Sequence, residues 1–112
     1  MILDSEVIGD ITYVKVQIDR LDAARCVSFK EEIKEVISKV GHSVVLDFST
    51  VKFMDSSGLG AIVSVLKMLT GNRELVLCGV KGMVLDLFKL TRMDRVFSIA
   101  ETKEDSIQKL AH

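Results

Sequence analysis

There is no tryptophan in this chain, only one tyrosine and five phenylalanines, so a packed interior has to be assembled from Val, Ile, Leu and Met. Cysteine is as scarce. Cys26 and Cys78 are the whole supply; they fall in different expected elements and have no metal-ligand spacing, so they read as reduced core thiols and no metal or other cofactor is expected. An excess of one charge is missing too: 15 Lys and Arg stand against 16 Asp and Glu, a formal net charge of −1. The basic residues are scattered among acidic ones, so no face is built to neutralise many phosphates and no direct nucleic-acid binding is expected. No apolar run approaches the length that spans a bilayer, and Met1 to Asp10 carries Asp4, Glu6 and Asp10 but no basic stretch. No membrane association and a cytoplasmic address are the expectation.

What is present is a chain of 112 residues, 48% of them apolar, long enough to bury one core without disulfides or metal. No linker, repeat or low-complexity tract interrupts it, so residues 1–112 read as a single domain.

Ile2 to Ile8 and Ile11 to Ile18 are strand-like runs separated by Gly9-Asp10, which predicts an antiparallel hairpin. From Ala23 to Val40, Cys26, Phe29, Ile33, Val36, Ile37 and Val40 recur at three- and four-residue steps, an amphipathic helix. Asp22 or Asp19 can cap its start and Gly41 its end. Ser43 to Asp47 and Glu74 to Cys78 read as short buried strands flanking a helix from Ser56 to Leu69. A helix over about Gly82 to Leu90, a strand over Val96 to Ile99 and a closing helix opened by Thr102 complete the order ββαβαβαβα. Such alternation predicts an α/β fold with about four helices and a mostly parallel central sheet, its N-terminal strand antiparallel and at an edge.

The segment Asp47 to Gly60 leaves the C-terminal end of a parallel strand and enters a helix, the place where open α/β sheets build their sites. Asp55 reads as an N-cap, with Ser56 and Ser57 in the first turn and Gly58 and Gly60 permitting close packing. At 100° per residue, Leu59, Ile62, Val63, Leu66 and Leu69 form the core arc. The opposite arc carries Ser57, Ala61, Ser64 and Met68 with Gly60 and Lys67 beside it, small and uncharged for a solvent-facing surface. It reads either as a docking face or as a surface packed under another helix of the same chain.

Asp55-Ser56-Ser57-Gly58-Leu59-Gly60, eight residues after Val44-Val45-Leu46-Asp47, resembles the signature of the bacterial anti-sigma factor antagonists, the single-domain STAS proteins. The likeness extends over nearly the whole chain: the opening hairpin, Arg20-Leu21-Asp22-Ala23-Ala24, similar to the family's G-x-L-D-A stretch, and Cys78-Gly79-Val80. Asp19 stands where the family often has glycine. The resemblance implies a STAS-like fold and a non-enzymatic role. It implies Ser56 as the acceptor of phosphate from a partner that is at once a serine kinase and an anti-sigma factor, with Ser57 as second choice. Asp22 and Asp55 are implied as contributors to docking, or simply as caps; together with Ser57, Gly58, Gly60, Ala61, Ser64 and Met68 they make up the expected partner face. A serine phosphatase of the PP2C type would reverse the modification, and the expected state is a monomer. The alternative is a constitutive STAS scaffold or ligand-sensing interaction domain that phosphorylation does not control.

A serine hydrolase would need a base beside Ser56 or Ser57. His42 precedes the strand whose far end leads to the serines, so five residues at ~3.3 Å put it roughly 16 Å away. The glycines around position 58 lack the G-x-x-x-x-G-K-[ST] pattern of a nucleotide cradle.

Overall fold

The computed structural model describes residues 2–39, 42–69 and 71–111. The chain opens with β1 (Leu3–Ile8) and β2 (Ile11–Val16), paired antiparallel from Leu3 opposite Val16 to Ile8 opposite Ile11. Gly9 turns the corner at φ +61°, a conformation that costs glycine little. Next come β3 (Arg20–Leu21), α1 (Ala23–Lys39), β4 (Ser43–Asp47), β5 (Phe53–Met54), α2 (Ser56–Met68) and β6 (Leu75–Cys78). α3 (Gly82–Leu90), a 3-10 turn (Met93–Arg95), β7 (Ser98–Ala100) and α4 (Lys103–Leu110) complete the order.

The main sheet runs β1-β2-β4-β6-β7, parallel throughout except for the β1–β2 pair, which places β1 at an edge as expected. Its central strands are apolar at nearly every position because both faces are covered. Val14, Val16, Val44, Leu46, Leu75 and Leu77 point into the larger core, with Phe29, Ile33 and Ile37 of α1, Ile62 of α2, and Val84 and Phe88 of α3. Tyr13, Val45, Val76 and Cys78 alternate to the other face, under Leu110 of α4. Three helices thus cover one face and α4 the other. Phe29 and Ile33 are fully buried, worth about 1.5–3 kcal/mol each relative to exposure.

Three expectations are corrected. Two parallel two-residue strands, β3 and β5, form a second small sheet; segments this short carry no periodicity for a sequence to reveal. The last strand is Ser98–Ala100 rather than Val96–Ile99. The 3-10 turn ends at Arg95, Val96 is left exposed, and Phe97 is drawn inward, its ring 5.8 Å from that of Phe88 in an edge-to-face contact. β2 ends at Val16, before Ile18. The expected Val40 end of α1 and its Gly41 cap lie outside the described residues.

Candidate functional site at paired helix N-termini

The small sheet sets the geometry of the site. Arg20 pairs with Phe53 and Leu21 with Met54 in parallel, and the carbonyl of Asp19 accepts from Lys52 N (2.8 Å) and Phe53 N (3.0 Å). Each strand leads within two residues into a helix, so α1 and α2 begin side by side with their N-termini together. α2 then packs along α1, where the Cys26 thiol reaches the Ser57 carbonyl at 3.7 Å.

One carboxylate serves both helix ends. Asp55, in extended conformation, accepts from Gly58 N through Oδ1 at 3.0 Å and from Ala23 N through Oδ2 at 3.3 Å. Two otherwise orphaned donors are met by one side chain. This corrects the expectation that Asp22 or Asp19 provides the side-chain oxygen at the start of α1. Asp22 instead takes the first helical bonds through its main-chain carbonyl, from Arg25 N and Cys26 N. Its carboxylate faces two guanidinium groups, Arg20 Nε at 3.6 Å and Arg25 Nη1 at 3.9 Å, and its Oδ1 is buried without a hydrogen-bond partner among the described residues.

Ser56 and Ser57 open α2 and are both exposed. Gly58 is not: a Cβ there would lie 2.2 Å from the Leu21 carbonyl oxygen and 2.9 Å from Met54 Cγ. Its absent side chain is what lets α2 close onto β3, so it is a packing residue and not part of an accessible face. Gly60 has open space around it and stays at the surface. Ala61 is buried at 1% exposure, Met68 packs partly against the core, and Ser64 is half-buried, its hydroxyl donating to the Gly60 carbonyl at 3.1 Å.

Gly58 and Ala61 are therefore withdrawn from the expected partner face, and Met68 contributes only its edge. The buried arc is Gly58, Leu59, Ala61, Ile62 and Val65, turned by roughly 60° from the expected one at 100° per residue. The cause is α1: α2 rests on the sheet and also against a neighbouring helix, and the sequence pattern reports apolarity without saying which neighbour supplies the cover. The accessible strip is Ser56, Ser57, Gly60, Ser64 and Lys67.

The loop entering this site is anchored by a pair the sequence reading missed. Asp47, 7% exposed at the end of β4, accepts from Tyr13 Oη through Oδ2 and from Ser49 N through Oδ1 at 2.8 Å. Burial pushes the Asp47 carboxyl up, but the bonds from Tyr13 and Ser49, with Lys15 nearby, outweigh it and hold it below its ordinary value. Desolvation, then the hydrogen bond to Asp47, raises the Tyr13 phenol. Burial also pushes the Cys78 thiol up to about 11, the behaviour of an inert core thiol. Gly79 at φ +70° closes the anchor, since a Cβ there would meet Ser49 N at 2.7 Å. The available signals were a lone Tyr within an apolar strand and an Asp ending a buried one.

His42 lies at the start of β4, its Nδ1 3.4 Å from Thr12 Oγ1, at the other end of the strand from the loop that leads to Ser56. Among the described residues no cluster of His, Cys, Asp and Glu is arranged to hold a metal, and no helix is long and apolar enough to cross a membrane.

The turn Asp55-Ser56-Ser57-Gly58, with its two serines exposed, thus stands at paired helix N-termini of an α/β domain. The STAS-domain family profile matches residues 3–106. An anti-sigma-B factor antagonist of Listeria monocytogenes is 32% identical over 80 residues, 70% of either chain. An anti-sigma-factor antagonist STAS protein of Planctomyces limnophilus superposes with a TM-score of 0.89 at 17% identity, covering 98% of each chain. The Bacillus cell fate determinant SpoIIAA, solved in its phosphorylated form, gives 0.68 at 19% identity over 96% of this chain and 97% of that one. The chain belongs to the STAS family of anti-sigma factor antagonists.

Proposed function

We propose that this chain is a phosphorylation-controlled binding switch: an anti-anti-sigma factor, soluble in the cytoplasm and monomeric, whose Ser56 decides whether a serine-kinase anti-sigma factor binds it. The single observation that carries the reading is Ser56 itself. It is an exposed hydroxyl at the first position of α2, next to an Asp55 side chain held at two helix N-termini. Unphosphorylated, the strip of Ser56, Ser57, Gly60, Ser64 and Lys67, with Asp22 and Asp55 at its end, binds the partner and frees whatever the partner restrains. α3 packs beside β5 and carries Met83, Leu87 and Leu90 at i, i+4 and i+7; Met83 is 42% and Leu90 83% exposed, while Leu87 packs partly against the core. Apolar groups on that spacing suit burial in a protein interface.

The partner transfers the γ-phosphoryl group of its ATP to Ser56 Oγ, the new P–O bond forming as the bond to the β-phosphate breaks, with ADP and the hydroxyl proton released. Phosphoserine carries about −1.5 to −2 charge at neutral pH, which the helix N-terminus tolerates at a gain of about 0.3–1 kcal/mol, so the fold persists. Buried unmatched in an interface, the same charge costs on the order of 2–5 kcal/mol, or roughly 30- to several-thousand-fold in affinity. A PP2C-type phosphatase restores binding. The named activity of the Listeria relative and the phosphorylated form of the Bacillus fold neighbour support the reading.

The test is capture from native lysate with wild-type, Ser56→Ala and Ser56→Asp baits, identified by mass spectrometry. A serine-kinase-like ATPase retained by the first two and lost by folded Ser56→Asp is the expected result. Equal capture by all three, or no kinase with any bait, refutes the switch and favours a constitutive scaffold.

A further inference from the structure

We infer that Arg20 and Arg25 form a counter-ion relay, resting on Asp22 while Ser56 is unmodified and moving to the phosphate when Ser56 carries one. The inference rests on the phosphorylation reading and describes what the modification does inside the molecule.

Two cations are gathered on one carboxylate beside the serine. Arg20 and Arg25 approach Asp22 at 3.6 and 3.9 Å, and their side chains are 52% and 45% exposed. Both distances exceed a charge-assisted hydrogen bond, and Asp22 Oδ1 accepts no hydrogen bond among the described residues. The guanidinium donors are thus held by charge and by stacking, since Arg20 lies 4.1 Å above the Phe53 ring centroid. Exposed ion pairs of this kind are weakly held and easily exchanged.

The backbone brings the elements that carry both arginines to the start of α2. Arg20 is paired with Phe53 across the small parallel sheet, three residues before Ser56. Arg25 is in the first turn of α1, next to Cys26, whose thiol touches the carbonyl of Ser57. The charged groups gathered here are Arg20, Asp22 and Arg25 from the α1 side and Asp55 from the α2 side, with Asp19 and Lys52 joined through the backbone at the edge. The acids are single charges, and Asp55 is already committed to two backbone donors. A phosphate placed on Ser56 Oγ brings nearly twice the charge and three acceptor oxygens, and it matches the planar fork of a guanidinium better than a carboxylate 3.6 Å away.

The exchange has a consequence for the partner face. Phosphorylation adds a dianion at Ser56 and also strips Asp22 of its cations, so a second residue of the proposed face gains an uncompensated negative charge. One modification then alters two points of an interface.

The test installs phosphoserine at position 56 during translation by suppression of a stop codon, so no kinase is required. 31P NMR titration follows its second ionisation in the otherwise unchanged chain and in the double variant Arg20→Gln, Arg25→Gln. Free phosphoserine ionises near pH 6, and cations within ~4–6 Å lower an acid, by about one unit at a site as exposed as this. The expected result is a second pKa about one unit lower with the arginines than without. A second readout is the Arg20 and Arg25 Nε–H resonances, which should shift between unmodified and phosphorylated protein. Equal pKa values in the two backgrounds, or unshifted arginine resonances, overturn the relay. Both side chains are surface groups, so the double variant should fold; the single variants, each expected to show part of the shift, decide the matter if it does not. Failure of the lysate capture would remove the switch, and failure here only the relay.

Discussion

Replacing Gly58 with alanine sets two opposing terms against each other at one atom. In a helix interior alanine is favoured over glycine by about 1 kcal/mol. The new Cβ would stand 2.2 Å from the Leu21 carbonyl oxygen, more than 1 Å short of ordinary van der Waals contact, which begins at 3.4 Å. That oxygen is backbone, so no rotamer relieves the clash, and α2 has to retreat from β3. Overpacking costs typically about 1–3 kcal/mol, and a contact this short belongs at the upper end. The net expectation is a loss of about 2 kcal/mol, or roughly 8 °C in Tm for a domain of this size. Gly60→Ala is the matched control, because the same atom added two residues later meets nothing within 4 Å. It should stabilise by about 0.5–1 kcal/mol, raising Tm by roughly 2–4 °C. Thermal melts of the three proteins followed by far-UV circular dichroism measure both changes. A Gly58→Ala protein as stable as wild type would refute the argument, as would one at least as stable as Gly60→Ala.

Asp55→Ala removes the oxygens that meet Gly58 N and Ala23 N and should cost about 1–2 kcal/mol in urea denaturation; Asp55→Asn, which keeps one acceptor, should recover part of it. Tyr13→Phe takes one of the Asp47 carboxylate's two donors and should cost about 1–3 kcal/mol. The pH dependence has a definite sign. Asp47 is held below its ordinary value, so its contribution is present above the unfolded value of about 3.9 and is lost as pH falls from about 5 through the folded value. Tyr13 is held above its ordinary value, so its contribution is full below about pH 10 and declines above that. Wild type should therefore lose stability on both sides, and Tyr13→Phe should show a shallower acid limb and a shallower alkaline one, the remainder coming from the buried Cys78 thiol. Urea midpoints across pH measure this, and parallel acid limbs would refute the pairing.

Most of the large elements were legible because each carries a period. Phe29, Ile33 and Ile37 mark one face of α1 and are its buried residues. The unbroken apolar run Val44-Val45-Leu46 belongs to a strand covered on both faces. The edge position of β1 and the Thr102 cap, whose hydroxyl accepts from Asp105 N at 3.1 Å, also followed from local pattern. β3 and β5 did not, since pairing two residues with two others 33 positions away leaves no trace in either segment. The site divides in the same way: the exposed Ser56 and Ser57 and the capping role of Asp55 toward Gly58 were readable from residue types around a helix start. That Asp55 also serves Ala23 of α1 was not.

The sequence by itself determined the order of helices and strands, the apolar interior and the position of the Asp-Ser-Ser-Gly turn, because these depend on side chains a few residues apart along the chain. Only the tertiary structure decided which way α2 is turned. Ala61 is as small and neutral as a surface residue could be, yet the approach of α1 buries it, and Gly58 is spent on contact with Leu21. The same long-range approach places Arg20, Asp22 and Arg25 around the start of α2, because the small sheet holds two distant helix starts in register.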